Sequence, residues 1–189
     1  MAALSREEIL KKISQGESLE NMNMSGIDLS YENLKGVSFA GSNLSEAHMQ
    51  NANLENADFS GASLDRIFLF GANLINANFD NATMVDANLQ DTNLEKASFV
   101  GANLFHIKLF GAQMENTNFE KANLETARFK RGILRSAIFK GAKLIDAHLE
   151  RTDLRDADFS GADLSGAHLS MAKTDGARFE GAKTDGIKK

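Results

Sequence analysis

Few side chains in this sequence are suited to chemistry, and those few are oddly spaced. There are four histidines, His48, His106, His148 and His168. His148 and His168 stand twenty residues apart. Two imidazoles that meet at a surface can hold a metal ion. The chain has no cysteine, which excludes a thiolate metal site, a cysteine nucleophile and a disulfide framework. It carries no phosphate loop, no GxSxG elbow and no HExxH pair.

Charge is the second chemical signal. The chain of 189 residues has a net charge of −5, but the charge is unevenly spread. Residues 45–100 hold Glu46, Glu55, Asp58, Asp65, Asp80, Asp86, Asp91 and Glu95 against Arg66 and Lys96, a net −6. Residues 128–155 hold Arg128, Lys130, Arg131, Arg135, Lys140, Lys143, Arg151 and Arg155 against Asp146, Glu150 and Asp153, a net +5. Two readings stay open: a solvated surface that drifts along an array, or a surface that steers a partner.

The elements that position these groups follow from an internal repeat. From Met24 to Leu169 every fifth residue is Leu, Phe or Met. Two residues before each stands a small residue, as in Ala47, Ala52, Ala57 and Ala62. Five residues advance an α-helix by about 500°, so this series would scatter around a helical cylinder. Ala and Leu two apart face the same side of an extended segment. The two residues between one pair and the next must bend the chain. Gly36, Gly41, Gly61, Asn51, Asn56 and Asp86 stand at those bends, where positive φ comes cheaply.

Phe39, Phe59, Phe79, Phe99, Phe119, Phe139, Phe159 and Phe179 recur every twenty residues. A period of twenty on a register of five means four sides per coil. These phenylalanines are expected to stack as one core column. About eight coils at a strand spacing of about 4.8 Å give a rod about 40 Å long.

The stretches NANLENADFSGASL (51–64) and ADFSGADLSGAHLS (157–170) resemble the A(D/N)LXX motif of the pentapeptide repeat family, over about residues 22–187. The resemblance implies an all-β fold, a right-handed quadrilateral β-helix, and implies that most members are not enzymes. Two segments are expected: residues 1–21 as an N-terminal capping helix and lead-in, and 22–189 as the β-helix. Ser5 and Glu8 have capping-box spacing, Leu4 and Ile9 staple spacing, and Gly16 suits a helix end, predicting a short capping α-helix over about 6–15.

No interior pocket is expected in a tube filled with Leu and Phe, so the chain is read as no enzyme. No catalytic residue, metal or cofactor is expected. His148 and His168 stack on neighbouring coils, but the candidate third ligands, Asp153 and Asp163, fall on an adjacent side. The basic stretch suits phosphate contacts, yet the chain is acidic overall and has no aromatic–basic module, so direct nucleic-acid binding is not expected. A membrane partner is not expected either, and a cytoplasmic, bacterial-type protein is. At the last coil, either a polar cap or a homodimer through that coil is expected.

The remaining reading is a rigid protein-interaction scaffold with an unidentified protein partner. The alternative, by resemblance, is a DNA-mimicking protein that binds DNA gyrase, as some quinolone-protecting members do. The basic segment 128–155 and the lack of an inserted loop count against it. The scaffold reading predicts a local departure from the bland surface. RIFLFGANL (66–74) and FHIKLFGAQ (105–113) supply one. Phe68, Phe70, Phe105 and Phe110 face outward, Lys108, Arg128 and Lys130 share their side, and Ile67 and Ile107 lie beneath in enlarged Ala slots. Either these groups form a contact surface or they cover one another locally.

Overall fold

The computed structural model describes residues 5–189; Leu4, paired with Ile9 by spacing, lies outside them. The first element is α1, Arg6–Ser14. Ser5 caps it: its hydroxyl accepts from the Glu8 N–H and the Glu8 carboxylate accepts from the Ser5 N–H, a reciprocal box. Ile9 is fully buried, and Leu10 and Ile13 pack beside it on the core. The helix thus lays its apolar stripe over the first coil, where core would otherwise meet water.

The rest of the described chain is a four-sided β-helix. Parallel bridges join each bridging residue to the one twenty positions on, from Asn23↔Asn43 to His168↔Lys188, one bridge every five residues. Each side contributes a single bridged residue, so the extended pieces are shorter than ordinary strands. The backbone hydrogen bonds explain why this suffices. In one repeat, Leu44 N–H donates to the Ser63 carbonyl at 2.7 Å, Glu46 N–H to Asp65 at 2.9 Å, and Asn43 N–H back to Met22 at 2.9 Å. Ala47 N–H closes the corner on the Leu44 carbonyl at 3.0 Å. The fifth N–H, of Ser45, donates to the Asn43 side chain at 3.1 Å. Asn and Asp are therefore favoured before the central residue because they satisfy a donor that the ladder leaves over.

Every corner residue from Asn21 to Gly186, at five-residue spacing, has positive φ. With the closing bond, this is the pattern of a type II turn. Composition suggests Gly, Asn and Asp for this slot, but the register also forces Tyr31, Arg66, His106, Thr126 and Arg131 into it.

The interior is solid. Phe39 to Phe179 form a continuous stack with centroids 4.7–5.1 Å apart. Phe129 meets Phe119 and Phe139 edge-on at 5.9 and 6.0 Å. Hydroxyls in the Ala slots find carbonyls of their own turn or of the coil before: Thr92 donates to the Leu89 carbonyl at 2.7 Å and Thr152 to Leu149 at 2.6 Å, while Thr117 reaches back to Leu94 at 2.8 Å. At the last coil, Leu169, Phe179 and Ile187 are only half-buried.

Two sites report how tight this frame is. Thr126 is β-branched and held at φ 56°, a conformation that costs an L-residue about 1–2 kcal/mol. Thr126→Asn is expected to raise stability by up to about 1 kcal/mol, read by urea unfolding. Gly132 fills an Ala slot, and a Cβ there would lie 2.8 Å from Met114 Cε and 2.9 Å from the Phe129 carbonyl. Gly132→Ala is expected to lower stability by about 1–3 kcal/mol. Adding Met114→Leu should recover part of that loss, whereas strictly additive effects would show that the two sites do not share space.

Candidate functional site

One side of the rod departs from the Asn, Asp and Ser surface. The bridge series Asp28, His48, Phe68, Asn88, Lys108, Arg128, His148, His168, Lys188 runs up it, one residue per coil. Ile67 and Ile107 are fully buried beneath it, filling the space that Ala takes elsewhere. Phe68, Phe70 and Phe105 are 37%, 43% and 40% exposed. Phe68 stacks on His48 at 4.6 Å. Phe110 is half-buried, and the Arg131 guanidinium lies over its ring, 5.6 Å from the centroid.

Lys108, Phe110, Arg128 and Lys130 come together in one open groove of about 600 Å³, completed by Gln90, His148 and Glu150. Phe68 and Phe70 are on the same side but outside this groove, at an earlier coil. Phe105 is at the preceding corner beside His106, with centroids 6.3 Å apart. His106 in turn meets Asp86 at 2.6 Å and the Arg128 guanidinium at 3.0 Å. Arg131 and His106 were not among the residues expected here. Both occupy left-handed corner slots, whose side chains lean over the neighbouring side.

The bases of this region fall into paired and unpaired sets, and among the described residues Lys143 and Arg151 are unpaired as the groove bases are. Arg135 and Arg155 pair with Asp153, and Lys140 and Arg178 pair with Asp158. Among the described residues, Lys108, Arg128, Lys130 and Arg131 form no ion pair with a carboxylate. Asp28 and Asn88 accept the fifth N–H of their repeats on this side, but three other coils lack such an acceptor. Phe68, Lys108 and Arg128 replace it, which leaves the N–H groups of Phe70, Phe110 and Lys130 without that acceptor.

Above the groove, His148 and His168 bridge neighbouring coils with centroids 4.5 Å apart. Asp153 and Asp163 are not available to them. Arg155 and Arg135 hold the Asp153 carboxylate, keeping its pKa far below the usual range. Asp163 is held by Ser165 and Lys183, also below its usual value. The carboxylate that does reach the pair is Glu150, with Oε1 3.2 Å from His148 Nδ1 and 4.0 Å from His168 Nδ1. Burial pushes the Glu150 carboxyl up, but its own N–H and the two imidazoles more than offset this and leave it below its usual value. Glu150 lies on the histidines' own side, whereas the expected third ligands, Asp153 and Asp163, lie one side away. The signal was its place two residues after His148, on the same side.

Among the described residues, no helix is long and apolar enough to cross a membrane. No curated protein matches the chain significantly. Solved structures do. HetL, a pentapeptide repeat protein involved in heterocyst differentiation regulation from the cyanobacterium Nostoc sp. strain PCC 7120, is 24% identical over 98% of this chain and 94% of that one, with a TM-score of 0.57. QnrB1, a plasmid-mediated fluoroquinolone resistance protein, is 18% identical over 89% of this chain and 90% of its own, with a TM-score of 0.44. A pentapeptide repeat protein from the Arabidopsis thaliana thylakoid lumen is 28% identical over 54% and 68%, with a TM-score of 0.38. The likeness to HetL concerns the fold, a right-handed β-helix. The family described as pentapeptide repeats (8 copies) matches residues 33–69, 68–105, 107–144 and 133–170. Five-residue register, four-sided coil and sequence match agree: the chain belongs to the pentapeptide repeat family.

Proposed function

We propose that the chain is a non-enzymatic, rigid interaction scaffold whose aromatic–basic groove docks an acidic segment of a protein partner. One observation carries this reading. Lys108, Arg128, Lys130 and Arg131 crowd around Phe110 without a carboxylate partner, whereas neighbouring bases at Arg135, Lys140 and Arg155 are paired. Like charges placed together repel, and an acidic ligand relieves that repulsion. Phe110 and, at the earlier coil, Phe70 add apolar anchors of the kind that dominate interfaces. The unaccepted N–H groups of Phe110 and Lys130 favour a ligand rich in acceptors. A filled interior, with carboxylates on the outside in ordinary ion pairs, supports the non-enzymatic part.

DNA-like docking on gyrase has less support. At one corner Arg66 pairs with Glu46 and His106 with Asp86, so the acidic stretch 45–100 forms no continuous line of free carboxylates. On the scaffold reading, the purified chain leaves gyrase supercoiling unchanged.

The groove is tested with an array of acidic, neutral and basic peptides. The wild-type chain should retain acidic peptides containing an apolar residue, and more weakly at high salt. Phe110→Ser with Lys130→Glu should weaken retention at least about tenfold, the loss expected for about 1.4 kcal/mol of contact. Wild-type binding without charge preference, or equal binding by the double variant with its fold intact, would overturn the reading.

A further inference from the structure

We infer that His148, Glu150 and His168 form a binding site for a first-row transition metal ion of the Zn²⁺ type. The three side chains offer ligand atoms that all lie within 4.8 Å of one another. The separations from Glu150 Oε1 to the two Nδ1 atoms, 3.2 and 4.0 Å, bracket the edge of about 3.4 Å that bonds of 2.0–2.1 Å give a tetrahedral ion. The coil register holds both imidazoles in place: His148 and His168 are bridged by the backbone, so only side-chain rotation is needed to close on an ion.

An independent feature points the same way. Glu150 Oε2 is screened from solvent and has no hydrogen-bond partner, a costly state for a carboxylate oxygen. A cation between the rings would satisfy that carboxylate directly. Two imidazoles and one carboxylate suit Zn²⁺, Ni²⁺ or Cu²⁺ and not Ca²⁺ or Mg²⁺, which prefer oxygen ligands. Three protein ligands from one side leave a coordination position open to water or to a partner's side chain.

The surroundings supply one competitor. Lys188 Nζ lies 3.0 Å from His168 Nε2. Ligation through Nδ1 places the ring proton on Nε2, so this exposed ammonium must turn away. Lys188 therefore opposes binding, as do the charges of Arg128 and Lys130 on the coil before His148 and Glu150.

The test uses the full chain, stripped with chelator and titrated with ZnCl₂ by calorimetry. One ion per chain is expected, together with a rise in the thermal midpoint as the ion ties two coils together. His148→Ala, His168→Ala and Glu150→Gln should each weaken binding at least about tenfold, the scale at which lost metal-site interactions act. Asp153→Asn should leave it unchanged, and Lys188→Met should tighten it. Co²⁺ should give the visible absorption of a protein-ligated ion. The inference fails if the folded wild type binds no Zn²⁺ at micromolar concentrations, or if the histidine variants bind it as well as the wild type.

Discussion

The molecule depends on one repeated hydrogen bond, from the N–H of each central residue to the carbonyl nineteen positions on. It recurs at Leu64 to Thr83, Leu104 to Asn123 and Leu144 to Asp163, always within 2.7–2.8 Å. This bond sets the coil spacing at about 4.8 Å and pins residues twenty apart side by side. The same distance suits stacked aromatic rings, so a phenylalanine every twenty residues forms a column with no distortion of the ladder. It also lets amides chain together: Asn53 donates to Asn33 at 3.0 Å and Asn73 to Asn53 at 3.2 Å. Any residue type placed once in a column must suit its neighbours above and below.

The ladder sets the corners in return. Turning the chain four times per coil needs a left-handed residue at each bend, and the register does not slip to avoid an unsuitable one. Thr126, Arg131 and Met171 are held at φ near 60° just as Gly101 and Asn116 are. The cost at each such corner is about 1–2 kcal/mol, small beside the burial of a Leu or Phe in the adjoining core. Packing and hydrogen bonding between coils therefore outweigh local preference, which is why the corner slot tolerates so many residue types.

That balance explains how much could be read from the residues alone. The central positions were legible because burial permits only Leu, Phe or Met there, and Phe every twenty residues revealed the four sides. The corner slot was only partly legible, since its composition follows local preference where it can and ignores it where the ladder insists. Compensations between columns were not legible. Gly132 in an Ala slot looks like a defect until Met114 Cε is seen in the space a methyl would take. The histidine cluster was half legible: the twenty-residue spacing paired His148 with His168, but only side-chain direction shows that Glu150 bends toward them while Asp153 is held by Arg135 and Arg155.

A strict repeat makes its departures informative, and here several of them share one side. Glu150 is the one carboxylate lining the groove formed by Lys108, Phe110, Arg128 and Lys130, and it is also the oxygen ligand offered to an ion with His148 and His168. A divalent ion at that cluster would cancel the only negative charge facing the groove and add positive charge a few ångströms from it. The field seen by an acidic ligand would then strengthen, while an acidic ligand in the groove would in turn favour the ion by the same factor. The two proposed sites would therefore not act independently. Their placement on successive coils of one side makes Glu150 the group through which each would sense the other.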